Sequence, residues 1–137
     1  MFANVDADAM TEAVELYASE LRVIVEEIGP EKAAETTHLD EAVIEAVAAS
    51  DLDTVGRMHL SEVAAIIALT DGRGADAIIA DARDELMLAM STAVTDVERL
   101  AAGLDVALDP KELQAKIEGR YPMRLREYAA LRTELTE

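Results

Sequence analysis

The sequence predicts an all-α fold, a single domain over residues 1–137 built as a bundle of about seven helices, two of them long. Three observations carry that prediction. Apolar residues make up 51% of the chain and aromatics only 3%, so the core must be assembled from Leu, Ile, Val, Met and many Ala. Ala is the best helix former, and its small side chain lets helix axes approach closely. The apolar positions recur in steps of three and four, and no segment alternates convincingly with a period of two. Gly and Pro fall between the periodic segments, where they end one helix or start the next.

The first helix is expected over about Asp8 to Ile28, on a seam of Met10, Val14, Tyr17, Leu21, Ile24 and Ile28 that Val25 widens. Gly29-Pro30 ends it, because Gly tolerates the left-handed cap and Pro cannot extend the hydrogen-bond ladder. A short helix follows over about 31–36, and Asp40 caps a third over about 41–49. The polar stretch Ser50 to His59 holds Gly56 and reads as loop. Ser61 is placed to cap a fourth helix through the apolar run Val63 to Leu69. Asp71-Gly72-Arg73-Gly74 then opens the longest helix, expected from about Ala75 to Ala102. Its seam is Ile79, Ala82, Leu86, Met90, Ala93, Val97 and Leu100, and its length would be about 40 Å. Gly103 ends it. Asp109-Pro110 gives the next helix a cap and a first-turn proline, Glu112 sits at the third position, and Gly119 closes it. Tyr121-Pro122 turns the chain into a final helix over about 125–135.

Two stretches, about 31–70 and 97–135, echo one another. Each contains Ala-Ala (33–34 and 101–102), a Leu-Asp cap (39–40 and 108–109), a helix, a loop, and then Met-x-Leu-x-Glu-x-Ala-Ala from Met58 or Met123. The order of shared features points to an internal duplication, with a longer loop in the first copy. The second copy also resembles the Cro/repressor-type helix-turn-helix. Lys116-Ile117-Glu118-Gly119-Arg120-Tyr121-Pro122-Met123-Arg124-Leu125 is similar to the junction where a Gly stops one helix and a supporting helix follows. Over nearly its whole length the chain resembles a small family of uncharacterised haloarchaeal proteins. Ala89-Met90-Ser91-Thr92-Ala93-Val94, Asp109-Pro110-Lys111-Glu112 and Ile117-Glu118-Gly119-Arg120 carry that likeness, which implies no activity.

Charge is unevenly spread. Residues 111–137 hold six basic and five acidic side chains, about +1, whereas residues 1–110 hold six basic against 24 acidic, about −18. In dilute buffer such self-repulsion strains a compact state; at molar salt the Debye length falls to about 3 Å and the strain is screened. The composition therefore predicts a halophilic protein of a salt-rich cytoplasm. The longest apolar run is far short of a membrane span, and the first residues lack the basic segment of a signal peptide, so no membrane association is expected.

Enzyme chemistry is not expected. There is no Cys and no nucleophile elbow, and Asp71–Gly74 lacks the strand and the Lys-Ser/Thr that a phosphate-cradling loop needs. His59 lies three residues from Glu62, and His38 two from Asp40, but no third nitrogen or sulfur ligand exists for a zinc site. Asp81, Asp84 and Glu85 read as a solvated acidic face. No cofactor, metal or small-molecule substrate is inferred. The preferred function is a non-enzymatic adaptor or regulator that binds protein, as a homodimer. Met87 and Leu88 lie off the apolar stripe of the long helix, so Ile79, Leu86, Met87, Leu88 and Met90 form the expected interface. The alternative partner is DNA, read by the second copy. Lys111, Gln114 and Lys116 would then face the bases, with Arg120, Arg124 and Arg126 on the phosphates. The corresponding helix of the first copy offers Asp40, Glu41 and Glu45, which repel DNA.

Overall fold

The computed structural model describes residues 10–104 and 108–136, apart from the side chains of Met10 and Thr136. Among them are nine helices and no strand: α1 (Met10–Ile28), α2 (Pro30–Thr37), α3 (Glu41–Ala48), α4 (Leu52–Arg57), α5 (Leu60–Asp71), α6 (Ala75–Thr92), α7 (Val97–Gly103), α8 (Pro110–Ile117) and α9 (Leu125–Thr136). The all-α prediction holds. Gly29, at φ 95°, separates α1 from α2, and Pro30 occupies the first turn of α2.

Three local expectations are corrected. The stretch read as loop, Ser50 to His59, contains α4. Asp51 caps it by accepting the Thr54 N–H at 3.4 Å, and the fully buried Val55 pins the helix to the core. The continuous helix expected over 75–102 is instead two helices, α6 and α7. The break comes where Asp96 accepts the Arg99 N–H at 2.9 Å, and that local start signal outweighs the periodic seam across it. The start of α5 is capped at His59, not at Ser61, and the Glu62 carboxylate accepts the His59 N–H at 2.9 Å.

The core is shared by both copies of the repeated motif. Helices α5 and α9 each pack on both long helices, α1 and α6, while α2 packs on α1 and α5 and α3 packs on α1 and α2. Tyr128 crosses this interior. Its ring centroid lies 6.4 Å from that of Tyr17 on α1, and its hydroxyl donates to the Ala82 carbonyl of α6 at 3.3 Å. Burial pushes both phenols well above their ordinary pKa.

The two Met-x-Leu segments meet face to face. The Leu60 N–H donates to the Met123 carbonyl and the Leu125 N–H to the Met58 carbonyl, each at 2.8 Å, so His59 and Arg124 form one antiparallel bridge. Each segment then starts a helix whose capping amide is held by the glutamate three residues on. Glu62 serves His59, and Glu127 serves Arg124 at 2.8 Å. The sequence echo is thus matched by a reciprocal contact.

Candidate functional site

Two regions carry the residues the sequence singles out. The first is the end of α6. Residues 86–95 contain no Asp, Glu, Lys or Arg, the longest such stretch in a chain that is 30% charged. Most of that stretch faces solvent: Leu88 is 68% and Met87 46% exposed, and Ser91, Thr92 and Ala93 are exposed with them. Val94 follows at 82% exposure with φ 52°, a left-handed backbone that a β-branched side chain tolerates poorly. Glycine or asparagine is the ordinary occupant of such a position. Beside Leu88, Ala89 and Ala93 an open groove, which Glu85 also lines, continues to Leu135 and Arg132 of α9.

The predicted interface residues divide. The side of α6 that enters the core is Ile78, Ala82 and Leu86, a run of i, i+4 steps that keeps Ala82 and Leu86 of the expected seam and replaces Ile79 with Ile78. Leu86, expected at the interface, is 1% exposed and belongs to the core. Ile79 and Met90 are half-buried and pack on the margin of the core. Met87 and Leu88 are outward.

The second region is the basic corner around α8. Leu113, Ala115 and Ile117 hold α8 to the core, and Asp109 caps it by accepting the Glu112 N–H at 2.9 Å. Of the six residues expected to face nucleic acid, Lys111, Gln114 and Arg120 come together along a shallow groove between α7 and α8, which Glu98 shares. Gln114 and Arg120 both bond to Glu118, at 2.9 and 2.6 Å. Those hydrogen bonds, Gln114 first, hold the Glu118 carboxyl below the usual carboxylate range. Lys116 turns inward. Its ammonium meets the Glu127 carboxylate at 2.5 Å, with only 13% and 9% of the two side chains exposed. Arg124 is committed through its backbone to the bridge with His59, and Arg126 lies beside Leu52, Gly56 and Val14, on the α1–α4 side.

Two positions that matter here had no signal in the sequence. Val94 was simply the end of an apolar run. Arg83 was one charge on an acidic helix; in the folded protein its guanidinium lies over Gly119, 2.6 Å from the place a Cβ would occupy there. Gly119, at φ 81°, serves both the left-handed turn and that close approach.

The sequence from residue 13 to residue 137 matches a family of unknown function, DUF5791. The chain belongs to that family. No curated protein and no solved structure matches this DUF5791 member. Among its described residues no group of three potential metal-ligating side chains converges, and no helix is long and apolar enough to cross a membrane.

Proposed function

We propose that this protein works by association: two copies join along the uncharged end of α6 to form a homodimeric adaptor or regulator suited to a salt-rich interior. One coincidence carries the proposal. The longest uncharged stretch of a −17 chain is also where Met87, Leu88 and Val94 stand in solvent. Interface centres are depleted of charge and enriched in Met, and contiguous exposed apolar surface is unusual on a monomer. The occupant follows from charge. Two strongly acidic molecules repel wherever carboxylates face each other, and residues 86–95 let them touch without that juxtaposition. Strain at Val94 adds support, since unfavourable backbone is commonly kept at functional surfaces.

DNA binding through α8 is the weaker reading. Glu98, Glu112 and Glu118 accompany Lys111 and Arg120 on the outward side, while Lys116 is engaged with Glu127. Little positive potential is left for phosphates.

The chain has no Cys, so a single introduced thiol reports its own surroundings. Thr92→Cys should resist maleimide at high protein concentration in molar KCl and react on dilution, while Val23→Cys on α1 reacts throughout. Equal reactivity of the two thiols at every concentration would overturn the proposal.

A further inference from the structure

We propose a binding site for a small organic carboxylate, distinct from the α6 surface, in the cavity between the Met-x-Leu bridge, α6 and the turn after α8. The cavity has a volume of about 180 Å³. Its walls contain no Asp or Glu, although the chain has 29 of them. Three cations from three different elements line it instead: Arg83 of α6, Lys116 of α8 and Arg120 of the following turn.

The cations are not equivalent. Lys116 is paired with Glu127, and Arg120 with the exposed Glu118. Arg83 enters no ion pair among the described residues, and it is half-buried over Gly119, where any side chain would displace it. A planar, permanently charged guanidinium without a carboxylate partner is matched by a carboxylate bound through two parallel N–H donors. Lys116 and Arg120, each held by its own glutamate, leave Arg83 as the cation for the anion, and the Ser61 hydroxyl, also in the wall, can donate to it.

The remaining wall selects the body of the ligand. Leu60, Ile79, Leu86 and Met123 are apolar, and Tyr121 also lines the cavity. An apolar cavity of about 150 Å³ accepts benzene, so this one has room for a single ring or a short branched chain beyond the carboxylate. A bare inorganic anion would leave those side chains unmatched. The ligand class is therefore a monocarboxylate with a compact apolar group, held by Arg83 at one end and by the Leu60–Met123 wall at the other.

Benzoate is the probe, with inorganic phosphate as the comparison, each titrated into the full chain in molar KCl. Amide resonances of Ser61, Gly119 and Met123 should shift saturably with benzoate, and the melting temperature should rise with it. Phosphate at equal concentration should shift them at least tenfold less. Arg83→Met, which keeps the aliphatic stem on a partly exposed helix face, should weaken benzoate binding at least tenfold. Arg120→Gln should weaken it by a smaller factor. Benzoate that leaves these amides unmoved, phosphate that binds as well as benzoate, or undiminished binding in Arg83→Met would each overturn the assignment.

Discussion

From Ala75 to Glu85, α6 carries Asp76, Asp81, Arg83, Asp84 and Glu85 around the buried Ile78 and Ala82. From Leu86 to Thr92 it carries no charge, and after Leu86 it turns Met87 and Leu88 into solvent. One helix thus has two kinds of surface. In the first half an ordinary amphipathic pattern fastens the helix to α5 and α9, with charges solvating its outer side. In the second half the apolar residues exceed what the core can take. The excess lies where the helix is about to end, beside Val94 with its left-handed backbone, and it is the surface that the proposed association would use.

Neighbouring leucines give the strongest way to break that contrast. Leu86→Ala should cost about 4 kcal/mol of unfolding free energy by leaving a cavity in the core, whereas Leu88→Ala should cost less than about 0.5 kcal/mol. Urea melts at low protein concentration measure both. Similar losses for the two would erase the division of α6. The charged half leans towards the basic corner, and there the buried pair sets the next effect. Lys116→Met strands the Glu127 carboxylate and should cost about 3 kcal/mol, while Lys116→Met with Glu127→Gln should recover most of it. The same melts decide this, and an equally damaged double variant would mean that the pair is not the source of the loss.

Tyr128 ties the charged half of α6 to α9 through the Ala82 carbonyl, and Tyr128→Phe should cost about 1 kcal/mol. Its phenol and that of Tyr17 are raised above the ordinary value of 10.0, chiefly by burial. The folded state therefore holds these protons more tightly than the unfolded state does. Their contribution is complete below pH 10 and is lost as pH rises beyond it. Alkaline unfolding followed by circular dichroism should begin later in Tyr128→Phe than the difference in neutral stability alone predicts. The smallest effect has the opposite sign. Val94→Gly relieves a left-handed β-branched residue and should stabilise the monomer by up to about 1 kcal/mol while weakening association.

The elements that could be read in advance were those with chemistry at their ends: Gly29-Pro30, Asp109-Pro110 and Gly119 fixed their helices because only certain residues satisfy those backbone positions. Periodicity alone was less dependable. It carries one helix across 93–96, where steps of three and four residues continue by chance past the Asp96 cap, and it places Ile79 instead of Ile78 on the buried side of α6. Helix α4 was hidden because its six residues are too few to show a period. The Met-x-Leu echo was visible, but not the bridge between its copies, which needs distant backbone brought together. At the basic corner, residue type gave the charges and nothing of their partners. Lys116 corresponds in the repeat to Val47, which is fully buried, and only the fold shows that the lysine follows the valine inward to meet Glu127.

Joining of two chains through the uncharged end of α6 is tested most directly by particle mass. Light scattering in molar KCl should give twice the 14.8 kDa chain mass for the wild type and 14.8 kDa for Leu88→Glu, with unchanged helical content. A wild type that stays at 14.8 kDa at millimolar concentration, or a Leu88→Glu variant that still doubles, would contradict it.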